Sequence, residues 1–170
     1  MSNKMKFSSL QTAGLLALRF LVGWHLLYEG IAKLYSPNWS SSGFLEESQW
    51  ILSGFANWIV SNEEVLQTVD FLNIWGLMAI GLGLILGLLT RYASVAGMIL
   101  LLLYYFNSPP LIGMEYSIPS EGNYLIVNKT LIETGALFIL YLFPTSHKYG
   151  LDYFIDNLKN KKNNHEGAES

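Results

Sequence analysis

The chain contains no cysteine among its 170 residues. That excludes disulfides, thiol catalysis, CxxC redox chemistry, iron–sulfur ligation and covalent haem attachment together, so any redox role has to use a bound cofactor. Charge is scarce as well: 14% of the residues are charged against 51% hydrophobic, a balance too apolar for an ordinary soluble domain. A formal net charge of −3 with scattered basic residues excludes a nucleic-acid partner. His25, His147 and His165 are too far apart to suggest a metal site, and no GxGxxG phosphate loop or nucleophile elbow is present.

What the chain does have is long apolar runs, and these predict an all-α integral membrane protein with four spans. The first covers about Thr12 to Leu34, roughly 34 Å of helix, and with no small-residue cleavage site at its end it reads as a retained signal-anchor. The second, Phe71–Leu89, and the third, Tyr92–Phe106, are separated only by Thr90 and Arg91, which forces an antiparallel hairpin. The fourth covers Tyr124–Phe143 and is stopped by Pro144. Residues 1–150 are thus expected to form the membrane domain, and 151–170 a polar tail whose end, from Lys159, has too little apolar content to fold.

Seven basic residues (Lys4, Lys6, Arg91, Lys148, Lys159, Lys161 and Lys162) fall on one side of these spans, while the segments Tyr35–Asp70 and Asn107–Asn123 contain none. The positive-inside rule then predicts both termini on the cytoplasmic side of the membrane. The first outer segment, about 35 residues long, is too long for a bare loop. Trp50, Phe55, Trp58 and Ile59 are expected to share one face of a helix over Glu46–Val60 lying in the headgroup region. A lid over an active site is the alternative use of that segment.

The spans carry polar residues that lipid does not tolerate. With Arg19 taken as zero, His25, Glu29 and Lys33 fall at about −120°, −80° and −40° around the first helix, so the four form one stripe. Gly23 and Gly30 flank it, where another helix could approach closely. The fourth span carries Asn128, Lys129 and Glu133, with Lys129 and Glu133 one turn apart. Each such charge costs at least about 2.5–3.5 kcal/mol at mid-membrane, so both stripes are expected to face protein or a water-filled cavity. Reckoned at about 1.5 Å per residue, Lys129 and Glu133 lie near the depths of Glu29 and His25. A buried cluster of Glu29, Lys33, Lys129 and Glu133 is therefore expected, with Glu29 or Lys33 pairing with Lys129 or Glu133, His25 below it and Arg19 deeper. Two uses remain open: fixing helix register by charge pairing, or proton transfer and anion binding by an imidazole and two carboxylates in a low dielectric. The Gly83-x-x-x-Gly87 pair reads as a packing motif.

Arg19-x-x-x-Gly23, Gly30-x-x-Lys33-Leu34 and Gly81-x-Gly83-Leu-Ile-Leu-Gly87-Leu-Leu-Thr90-Arg91 together resemble the DoxX/DoxD-like family of small bacterial membrane proteins, over roughly Leu15 to Phe143. The resemblance implies a four-helix membrane bundle related to the membrane subunit of thiosulfate:quinone oxidoreductase. Arg19 and Lys33 match the family's basic positions. On that reading Arg19, Lys33, Asn128 and Lys129 are the candidate substrate-binding residues. His25, Glu29 and Glu133 are the candidate catalytic residues for quinone-coupled proton transfer, working with a soluble or membrane redox partner and with room for an oligomer. A scaffold whose buried charges serve assembly is the alternative, and a transporter, which would need oligomerisation, is the third.

Overall fold

The computed structural model describes residues 7–111, 113, 116, 125–146, 148–153, 155 and 157–158. They are helical with no strand among them: α1 Ser9–Tyr35, α2 Ser42–Glu46, α3 Ser53–Val60, α4 Glu63–Leu86, α5 Thr90–Asn107 and α6 Lys129–Leu142. Two helices, α1 and α4, are long and apolar enough to cross a membrane. Lys4, Lys6, Lys159, Lys161 and Lys162, which carried much of the orientation argument, lie outside the described residues, as do Tyr124 and the two distal histidines.

Helix α1 starts at a reciprocal cap: Ser8 Oγ accepts from Gln11 N–H, and the Gln11 side chain accepts from Ser8 N–H. It packs most extensively on α4. Small residues make that contact close. A Cβ on Gly81 would lie 2.5 Å from Leu27 N and 2.6 Å from Gly23 O, and one on Gly30 would lie 2.7 Å from the Met78 side chain. The flanking glycines of α1 thus do what their position implies. The Gly83/Gly87 pair does not form a common seam: Gly83 faces Leu88 and Ala93, whereas Gly87 ends α4 with φ of 66°, a conformation open to glycine without a Cβ penalty. Thr90 and Arg91 begin α5, so the hairpin turns one step earlier, at Gly87–Leu89. Val22, Leu26, Leu77, Ile80, Leu84, Leu101, Leu137 and Leu140 form the core between α1, α4, α5 and α6.

Two expected boundaries shift. Helix α4 begins eight residues before Phe71, because Glu63 and Glu64 favour a helix N-terminus by opposing its dipole. The helix of the fourth expected span, α6, begins at Lys129, where Asn128 Oδ1 accepts from Leu131 N–H. The single helix expected over Glu46–Val60 is helical only over its second half, α3 Ser53–Val60, while α2 ends at Glu46. Ser48 N–H bonds Leu45 O and Ser53 N–H bonds Trp50 O, tight turns that break the i to i−4 ladder. In consequence Ile59 and Ala56 point inward, Phe55 and Trp58 stack on the outside, and Trp50 packs against Phe106. The four residues do not share one face.

Candidate functional site

The polar residues of α1 and α6 meet, and His25 makes the junction. Its Nδ1 lies 2.7 Å from Oε1 of Glu133, and with Glu133 ionised the imidazole N–H donates. Glu133 is only 7% exposed, so this partner is what makes its burial tolerable. His25 Nε2 lies 3.8 Å from Glu29, which in turn lies 3.6 Å from Lys33 Nζ. The result is a chain of four titratable groups, Glu133, His25, Glu29 and Lys33, three of them successive on one stripe of α1. The expected contact between stripes is present, but through a different pair. Glu29 and Lys33 pair with each other, and neither forms an ion pair with Lys129 or Glu133. Their four-residue spacing satisfies them within α1, and Glu133, one turn into α6, stands level with His25. Lys129 is the first residue of α6 rather than an embedded one, and among the described residues it has no ion pair within 4 Å.

These groups line a cavity of about 590 Å³, within the size range of small-molecule sites. His25, Glu29, Lys33, Asn128, Lys129 and Glu133 all border it. Its remaining polar wall is one that sequence reading missed. Tyr104 Oη accepts from Asn73 Nδ2 at 2.7 Å and from Lys33 Nζ at 3.5 Å. A phenol oxygen has two acceptor sites and one proton, so its O–H is left to donate. Asn73 Oδ1 is buried with no hydrogen-bond partner among the described residues. Lys33 also sits over the rings of Trp39 and Tyr104, 5.4 and 5.3 Å from their centroids. Asn73 carried a signal, an amide inside an apolar run. Tyr104 carried none, because tyrosine is ordinary near a helix end in such proteins.

The segment after α1 covers this cavity. Ser41 N–H and Oγ both donate to Asp70 Oδ1, and Asn107 Nδ2 donates to the Phe44 carbonyl at 2.7 Å. Helix α2 is thereby tied to α4 and α5 above Lys33 and Tyr104, in the position of a lid. Asn128 Oδ1 is used by the α6 cap, so Asn128 offers the cavity its amide nitrogen.

Arg19 lies apart from these residues. Only 6% exposed, it borders neither this cavity nor the α1–α6 groove described below. Nη1 donates to Thr145 Oγ1 at 3.0 Å and Nη2 to the Tyr149 carbonyl at 2.8 Å. Asp152, in the segment read as a polar tail, docks nearby: its N–H bonds Gly87 O and its carboxylate accepts from Leu89 N–H at 2.8 Å. Arg19 therefore clamps Thr145 and Tyr149 beside the α4–α5 turn. Arg19→Met is expected to destabilise the fold by about 1–3 kcal/mol, the cost of leaving buried acceptors unpaired. Hydrogen exchange over residues 145–153 should rise while ligand binding at the distant cavity stays within threefold. Loss of binding with unchanged exchange would return Arg19 to the binding site.

No curated protein and no solved structure matches the chain. The DoxX family model matches residues 14–107, more than half of the chain, from within α1 through the lid and α4 to the end of α5. It includes Arg19, His25, Glu29, Lys33, Asn73 and Tyr104 and stops short of Lys129 and Glu133, so the resemblance read as far as Phe143 is established only to residue 107. On that match the chain belongs to the DoxX family, and is a DoxX-family membrane protein.

Proposed function

We propose that the chain is a four-span bacterial inner-membrane protein with both termini cytoplasmic, and that it is a redox-linked subunit coupling oxidation of a small sulfur anion to reduction of a quinone. The observation that carries this reading is the line of titratable groups Glu133–His25–Glu29–Lys33 along one wall of a cavity that a quinone head could enter. The charge distribution supports the orientation, since the basic residues outside the spans cluster on one side. With that orientation the lid and the cavity beneath it face the outer side.

Quinone reduction takes up two electrons and two protons, and the sulfur anion supplies the electrons as it is oxidised. The chain's part is to bind, orient and move protons. His25, held by Glu133, is placed to deliver a proton to a ligand oxygen, and Glu29 to re-protonate it through Nε2. Tyr104 O–H and Lys33 supply donors to the other side of a bound head, and Asn73 Oδ1 supplies an acceptor, which fits a polar ligand in a partly apolar site. Lys129, which has no ion pair within 4 Å among the described residues, is the residue best placed to attract an anion.

The test is equilibrium binding and turnover in lipid nanodiscs, with the genomically neighbouring or co-purifying soluble partner present. Purified protein is expected to retain quinone and to reduce added short-chain ubiquinone with thiosulfate as donor. Absence of binding across ubiquinone and menaquinone head types, with the partner present, would sink the reading. Lys129→Gln is expected to raise the KM for the anion about tenfold or more with kcat changed less than threefold, the pattern of lost ground-state attraction. Equal falls in kcat and kcat/KM would move Lys129 into the chemical step.

A further inference from the structure

The His25–Glu133 bridge has two sides. One faces the cavity beneath the lid. The other faces a groove of about 640 Å³ between α1 and α6, whose walls are Leu18, Leu21 and Val22 on one side and Ile132 and Ala136 on the other. His25, Asn128, Lys129 and Glu133 border both spaces. Helix α1 meets α6 far less extensively than it meets α4, which is why a groove exists there.

We propose that this groove is a lateral entrance and chain seat for an apolar-tailed ligand dissolved in the membrane, with its polar head at the His25–Glu133 pair and its chain lying toward Leu18. Three observations carry it. The groove is apolar along its length and polar only at the end where the pair stands, the polarity of an amphipathic molecule. That end holds Lys129, which has no ion pair within 4 Å among the described residues and suits an oxygen-bearing head. The direction is right as well: from His25 to Leu18 is about 10 Å along α1, through the middle of the span, where acyl and isoprenoid chains lie. A head arriving this way reaches the bridging hydrogen bond without crossing the lid, so a water-borne anion and a lipid-borne ligand would approach the pair from opposite sides. The inference rests on the quinone reading for the identity of the head, but not for the groove.

The experiment uses the full chain in phosphatidylcholine nanodiscs and two photoreactive probes: a benzoquinone with a ten-carbon chain ending in a diazirine, and a fatty alcohol of the same chain length and label. A chainless benzoquinone serves as competitor, and cross-links are mapped by peptide mass spectrometry. The quinone probe is expected to label α1 and α6 around the groove. Labelling should fall at least tenfold in Ala136→Phe, which plugs the groove, and in Ile132→Trp, whose exposed rim position leaves folding intact, while the chainless quinone still binds both variants. If only the fatty alcohol labels the groove, and the two variants abolish it, the groove stands and the quinone head is wrong. Quinone labelling confined to the lid side, at Trp39 or Phe44, overturns the groove and leaves the quinone reading standing. Labelling spread evenly over lipid-facing residues, or unchanged in both variants, is bulk lipid contact and overturns the proposal.

Discussion

His25→Gln is expected to lower quinone reduction by about 10²–10⁴-fold, the range supplied by a positioned general acid or base. Glu133→Gln should approach the same value. Glutamine at 133 still accepts a hydrogen bond at the position of the carboxylate but no longer stabilises an imidazolium, so orientation survives and proton transfer does not. Because the two side chains lie 2.7 Å apart and act together, the double variant should be hardly slower than either single one, the non-additivity of groups that work as a unit. Glu29→Gln, whose contact to His25 is 3.8 Å, should cost less and mainly slow re-protonation, so its rate deficit should shrink as the pH is lowered. The measurement is steady-state quinone reduction in nanodiscs over a pH series, with circular dichroism to confirm that each variant folds. Wild-type turnover in both His25→Gln and Glu133→Gln would remove the pair from the mechanism and leave it a structural link between α1 and α6.

The second large effect concerns the fold. Gly81→Val is expected to prevent close packing of α1 on α4. Its Cβ alone would lie 2.5 Å from Leu27 N and 2.6 Å from Gly23 O, and these are backbone atoms that cannot turn aside. Gly81→Ala should destabilise by at least the roughly 1–3 kcal/mol typical of overpacking, and valine by more, to the point of lost expression. Gly76→Ala on the same helix provides the control of opposite sign. Nothing lies within 4 Å of the added Cβ, and alanine favours a helix over glycine by about 0.5–1 kcal/mol. Unfolding midpoints in detergent decide between them. Equal effects at 76 and 81 would mean that the α1–α4 approach is not set by these small residues.

Movement of α1 against α4 would also disturb the site, since Lys33 and His25 project from α1 while Asn73 projects from α4. The glycine contacts thus link packing to chemistry. A tolerated Gly30→Ala, which meets a flexible Met78 side chain before it meets backbone, would be the place to look for altered binding without unfolding.

Most of the helices were legible as sequence because apolar runs and stop signals are local properties. Length and hydropathy marked α1, α4 and α5, and the angular stripe of Arg19, His25, Glu29 and Lys33 followed from helix geometry. So did the prospect that the charges of α1 and α6 face each other, since lipid penalises them on any other face. Local signals failed where competing turns decide the outcome. The aromatic segment broke into α2 and α3, and Asn128 capped α6 well after the apolar run had begun.

Which side chains pair was decided by tertiary structure alone. Angle and depth place a residue on a face and at a level, but a hydrogen bond depends on the rotation and offset of the neighbouring helix to within an ångström or so. Hence Glu133 met His25 rather than Lys33, and Arg19, on the same stripe, turned to Thr145 and Tyr149. Tyr104 and Asn73 joined the site because α4 and α5 bring them beside Lys33, a proximity between residues far apart in the chain that no local pattern encodes. The sequence by itself determined which groups had to leave the lipid; the packing of α1 against α4 and α6 decided which partner each of them found.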